Sequence, residues 1–241
     1  MLIAYLLMCA ELLGDIEDSI MKKQSGFTLI ELAIVLVIIG LLLGGVLKGQ
    51  ELINSAKVKN MAQDFKNVQV YIYGYQDRFK AIPGDDAQAD THVSGAEKAT
   101  TGGTLGNGVI EGAWDSTTNT DESYLFWQHV RLAGLASGPT DKTNAAYAPT
   151  NADGGRVGVQ SVQGFADITK NSAGTASAMN GAYVVCSKSV LGKFAKQLDT
   201  TLDDGNTDTG SMRTVDSTNA GQSIATASVV DSNSYTVCLS F

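Results

Sequence analysis

One carboxylate stands inside a long apolar run. Phe27 to Leu47 reads FTLIELAIVLVIIGLLLGGVL, with Glu31 as its single ionisable residue. At about 1.5 Å per residue the run makes a helix roughly 30 Å long, enough to cross the hydrocarbon core of a bilayer. A charge at the membrane centre costs about 2.5–3.5 kcal/mol on insertion scales, and less near a helix end, where a side chain such as Glu31 can reach the interface. The residue type leaves two readings: a side chain snorkelling at a membrane margin, or one half of a charge pair that offsets the burial of both groups.

Other groups with chemical potential are sparse. Asp204, Asn206 and Asp208 put oxygen ligands at alternate positions, as the start of a calcium loop does. The rest of that template fails, because Thr209 stands where glycine is required and Val215 replaces the bidentate acid. A solvated acidic turn is the plainer reading. The two histidines, His92 and His129, have no nucleophile-elbow sequence to accompany them. The glycine-rich stretch Gly102–Gly108 lacks the Gly-Lys-Ser/Thr ending of a phosphate loop. A formal net charge of −8 and the lack of a Lys/Arg cluster argue against nucleic acid as a partner.

The elements that must position these groups begin with the apolar run itself. From Glu51 to Lys80 there is no proline, and Met61, Phe65, Val68, Ile72, Tyr75 and Phe79 mark one face of a continuing helix. Ile82-Pro83-Gly84 ends it. A helix from Phe27 to about Lys80 is roughly 80 Å long, more than one globular core covers, so partner helices are implied. In front of the run lie Lys22 and Lys23; behind it come Lys48, Lys57 and Lys59, so basic residues alone leave the orientation undecided.

Lys22 to Leu47, and above all Ser25-Gly26-Phe27-Thr28-Leu29-Ile30-Glu31-Leu32, resembles the processing site of type IV prepilins and of the pseudopilins of type II secretion. The resemblance implies that a prepilin peptidase cuts after Gly26 and methylates the new amino terminus at Phe27. Such a cut places a positive amine one helical turn from Glu31. The family assigns this glutamate to pairing with the N-terminal amine of a neighbouring subunit during assembly, which selects the charge-pair reading. Met21-Lys22-Lys23-Gln24-Ser25-Gly26 is a complete short leader. Residues 1–20, with an apolar start, no basic n-region and four acidic residues, fit neither that leader nor a secretory signal, so Met21 is the expected true start, with a long natural leader as the alternative; either way the cut removes them. The expected organisation is a leader over 1–26, a long helix over 27–80 with its membrane part at 27–47, and an exported head over 81–241.

That head is expected to be α+β, with the long helix laid across a small antiparallel sheet as in pilins. Residues 85–119, rich in Gly and Thr and without periodicity, read as a surface loop. Asn119 and Glu122 have capping-box spacing before a short helix carrying Tyr124, Leu125, Trp127, Val130, Leu132 and Leu135, with Thr120 or Asp121 as alternative caps. Strands are expected at 156–162, 181–186, 223–230 and 235–241, and a helix at 190–202 with Ser189 as its cap. Cys9 lies in the removable region. Cys186 and Cys238 are then an even pair in an exported domain, which suggests a disulfide over two buried thiols and breaks the tie towards an exported C-terminal part.

The expected function is a structural subunit, major or minor, of a type IV pilus-type filament, and not an enzyme. The same architecture fits a type II secretion pseudopilin; a membrane-tethered domain that never polymerises is the alternative from another class. The resemblance implies the prepilin peptidase, other copies of this chain or related pilins, and an inner-membrane assembly platform as partners. It also implies a single-pass inner-membrane precursor, followed by an extracellular pilus or a periplasmic pseudopilus. No cofactor is expected, with calcium at Asp204–Asp208 kept open because some pseudopilin heads carry it.

Overall fold

The computed structural model describes residues 28–216 and 221–241. Its first element, α1, runs unbroken from Leu29 to Phe79. Lys80 then takes a left-handed conformation (φ 56°), and Gly84 (φ 94°) passes so close to the Glu122 carbonyl that a Cβ there would lie 2.4 Å from its oxygen. The chain divides into two compact units, Met1–Glu51 and Leu52–Phe241. In the first, the large apolar side chains of α1 from Leu29 to Leu47 are all exposed. In the second, Val58, Met61, Ala62, Phe65, Val68, Ile72 and Tyr75 are buried, which is the stripe expected from the sequence up to Tyr75; Phe79, its last member, is half-buried.

That stripe has a sheet to pack on. β1 (Val157–Ser161), β3 (Tyr183–Leu191), β6 (Ser234–Ser240) and β4 (Met212–Val215) form a four-stranded antiparallel sheet in the order β1-β3-β6-β4. Alternate residues point to opposite faces of a strand. Val157, Val159, Val185, Val237 and Leu239 accordingly join the core that holds Phe65, Val68 and Ile72. Val184, Cys186 and Cys238 face the other way, into a second core with Trp114, Phe165, Ile168 and Met179. Both faces of the sheet are therefore covered. Two further helices, α3 (Glu122–Leu132) and α4 (Gly192–Leu202), add Phe126, Trp127, Val130, Phe194, Ala195 and Leu198 to the first core. A short parallel pair, β2 (Ile168–Lys170) with β5 (Gly221–Gln222), lies outside the main sheet.

The architecture is the expected α+β one, with several corrections. Residues 85–119 are not a plain surface loop: they contain a one-turn helix, α2 (Ala89–His92), and bury Val93, Ala96, Ile110 and Trp114. Side chains of the edge strand β1 hold this segment down, because Ile110 N donates to Ser161 Oγ at 2.8 Å and Trp114 N donates to Gln160 Oε1 at 2.8 Å. The strand expected at 223–230 is replaced by a 3-10 turn at Thr226–Ser228, and its place in the main sheet is taken by β4. Ser189 is not a helix cap. It sits inside β3 with φ 58°, where the register with β6 slips between Ser187 and Val190, and Leu191 precedes α4. Asp121, the last of the three cap candidates, holds the N-cap position of α3, yet its carboxylate binds the Thr101 and Ser116 hydroxyls instead of capping the helix.

Candidate assembly and processing site

The start of α1 is built around Glu31. Thr28 N and Thr28 Oγ1 both donate to Glu31 Oε2 at 2.8 Å, and Glu31 N donates to Thr28 Oγ1 at 3.3 Å. This reciprocal capping box satisfies amides that the first helical turn leaves without partners, and it places a negative group at the positive end of the helix. The Thr-x-x-Glu spacing at residues 28–31 was the sequence signal for it, and the reading of Glu31 as an assembly residue passed it over. The surrounding surface is apolar, formed by Leu29, Ile30, Leu32, Ile34 and Val35. Gly26 and Phe27, the expected cleavage and methylation site and the amine side of the charge pair, lie outside the described residues, as do residues 1–20.

At the other end of the chain, Cys186 and Cys238 are joined by a disulfide with an S–S distance of 2.05 Å and a sequence separation of 52. They stand directly opposite each other across β3 and β6, and both are fully buried. The bridge ties the C-terminal strand to the centre of the sheet, under the layer carrying Trp114 and Phe165.

The histidines are used for packing. His129 is fully buried on α3; its Nδ1 accepts from Gly84 N at 2.9 Å and its Nε2 lies 2.7 Å from the Glu97 carbonyl oxygen. Burial pushes its pKa down, and a ring that accepts at one nitrogen and donates at the other is neutral. His92 Nδ1 lies 2.7 Å from Asp86 Oδ2, which also accepts from the buried Tyr75 hydroxyl at 2.8 Å.

The acidic turn after α4 is ordered by its own hydrogen bonds. Asp208, one of the three calcium candidates, binds Ser172 N at 2.7 Å, Ser172 Oγ at 2.6 Å and Ser223 Oγ at 2.6 Å. Asn206 Oδ1 accepts from Asp208 N at 3.3 Å, and Asp204 Oδ1 accepts from Asn206 N at 2.8 Å. The acids whose oxygens converge on Asp204 are Asp199 and Asp203. No sequence motif marked those two.

A buried acid beneath the 85–119 segment supplies a pH response. Glu122 Oε2 accepts from Glu111 N at 2.8 Å, but Oε1 is buried without a hydrogen-bond partner. Desolvation, with Asp85, Glu111 and Asp121 nearby, raises its pKa from 4.5 to about 7. A carboxyl raised in the folded state contributes stability that is complete below its unfolded value and lost as pH rises through the folded one. Head stability should therefore fall between pH 5 and 8. Half-buried Asp64, raised to about 6 by desolvation, adds to the fall. Glu122→Gln should flatten this slope and gain on the order of 2 kcal/mol over wild type at pH 8. Thermal melts across that range check it; parallel curves for the two proteins would refute the assignment.

Residues 21–47 match the prokaryotic N-terminal methylation motif. That motif is the hallmark of type IV prepilins and pseudopilins and supports a type IV pilin-like or pseudopilin-like protein; the helix that follows is, by length and composition, long and apolar enough to cross a membrane. No curated protein and no solved structure matches it.

Proposed function

We propose that this chain is a structural subunit of a type IV pilus-type filament and not an enzyme, cut by a prepilin peptidase and assembled through the N-terminal half of α1. One observation carries the reading: the methylation motif at residues 21–47 includes the exposed apolar part of α1, residues 29–47, whose single acid is Glu31. In water such a surface is strongly unfavourable, at about 25 cal/mol per Å² of apolar area. Two environments relieve it, a bilayer before assembly and the matching helices of other subunits after it. The inner membrane is the store, the assembly platform is the place of transfer, and the head is exported.

Processing is the direct test. Mass spectrometry of the mature protein should find Phe27 as the first residue, one methyl group heavier on its amine, with Gly26 as the last residue of the released leader. A mature chain that begins elsewhere would sink the reading. Mature protein recovered in fibres sheared from the cell surface supports a pilus, whereas mature protein held wholly in the periplasm identifies a secretion pseudopilus.

A further inference from the structure

The C-terminal end of α4 gathers three carboxylates. Oxygens of Asp199, Asp203 and Asp204 all lie within 4.8 Å of one another. Asp199 has 0% of its surface exposed, and neither of its carboxylate oxygens has a hydrogen-bond partner. The Gly205 and Asn206 amides and the Asp204 carboxyl lie near it, and Asn206 N donates to Asp204 Oδ1. A buried charge in this state is compensated by a cation or a proton, or it opposes folding.

The surroundings sharpen the problem. Asp199 and Asp203 are like charges at helical i,i+4 spacing, which repel. All three acids cluster at the negative end of the helix macrodipole, and the last turn of α4 carries no basic residue. Among the described residues, none of the three takes part in an ion pair; Lys196 on the same helix pairs with Asp231. The acids are nevertheless held in place. Asp203 Oδ2 accepts from Met212 N at 2.8 Å, and Asp204 Oδ2 accepts from Thr209 Oγ1 at 2.9 Å. Gly210 (φ 75°) leaves room for Asp203, since a Cβ there would lie 1.9 Å from Asp203 Oδ2.

From this arrangement we infer that Asp199, Asp203 and Asp204 form a binding site for a hard divalent cation of the calcium class. Calcium takes oxygen ligands at about 2.3–2.6 Å, so two oxygens on one ion lie at most about 5 Å apart, which the 4.8 Å cluster satisfies. Asp204 is exposed, Asp203 half-buried and Asp199 buried, so the site opens to solvent on one side. Water can complete the coordination there. This set differs from the alternate-residue loop of Asp204, Asn206 and Asp208, because Asp208 is committed to Ser172 and Ser223.

The test uses the full chain in detergent micelles, stripped with a chelator and then melted with and without calcium chloride. At calcium a hundredfold above its dissociation constant, the midpoint should rise by about 5–10 °C. Asp199→Asn, which keeps the shape and removes the buried charge, should fold without calcium and lose the shift. Asp204→Asn, at the exposed edge, should weaken calcium binding about tenfold or more in calorimetric titration and serves if Asp199→Asn does not fold. Asp208→Asn should keep the calcium response. The inference is overturned if wild type shows no calcium shift and is stabilised by acid alone. It is equally overturned if the response survives Asp199→Asn or Asp204→Asn, or disappears only in Asp208→Asn.

Discussion

With Glu31→Gln as the sole copy of this subunit, membranes should contain normal amounts of cleaved protein, while sheared fibres should contain none of it. The substitution is well matched to the geometry. Glutamine can keep the acceptor role that Glu31 Oε2 plays for Thr28 N and Thr28 Oγ1, so the first turn of α1 stays capped. What is lost is the charge. In the proposed filament core the carboxylate and the Phe27 amine of a neighbour would compensate each other, and removing one would leave the other buried and unpaired, at about 3–5 kcal/mol. Every subunit meets that penalty, so even the lower figure opposes polymerisation. Mixed with wild type, the variant should enter sparsely. Immunoblots of sheared fibres and of membranes, with cleavage judged by size, provide the measurement. Normal incorporation would count against the charge pair, and uncut protein would show that Glu31 serves the peptidase instead.

Removing the disulfide should be the most damaging change to the head. Closing a loop of this length between Cys186 and Cys238 constrains the unfolded chain by about 4 kcal/mol in the chain-entropy model. For a domain of this size that corresponds to a midpoint lower by about 10 °C. Replacing both residues by alanine is the cleaner probe, because the sulfurs are buried in an apolar cluster and serine would bring unpartnered hydroxyls into it. Thermal melts of the full chain under non-reducing conditions test the size of the effect. An unchanged midpoint, or alkylation of both thiols in unreduced native protein, would contradict it. Because the bridge ties β6 to β3, its loss should be felt first as fraying of the C-terminal strand, visible as faster amide exchange over Ser234–Ser240.

What could be read from the chain alone was what local order writes into it. The motif around Gly26, the uninterrupted apolar run and the stripe from Met61 to Tyr75 are contiguous or strictly periodic, and each appears in the protein where its pattern placed it or, for Gly26 and Phe27, in the matched motif. The Cys186–Cys238 pair was legible for a related reason: few in number, cysteines carry a redox logic that needs no geometry. The head was legible only in class. Met212–Val215 is a strand because β6 offers it an edge, although its own four residues, one of them Arg213, give little sign of it. Ser223–Val230 has suitable β-branched residues but no place in the main sheet. Residues 85–119 have no periodicity, and their burial follows from contacts with distant residues: Ser161 and Gln160 on β1, and Asp85, which accepts from the Gly108 amide. The convergence of Asp199, Asp203 and Asp204 belongs with these. Two of the acids follow from helical spacing, but the complete burial of Asp199 is a property of the folded head. Hydrophobic period and motif are properties of neighbouring residues and survive without a fold. Strand partnership, and the desolvation of a particular carboxylate, come from segments far apart in the chain, so only the tertiary structure decided them.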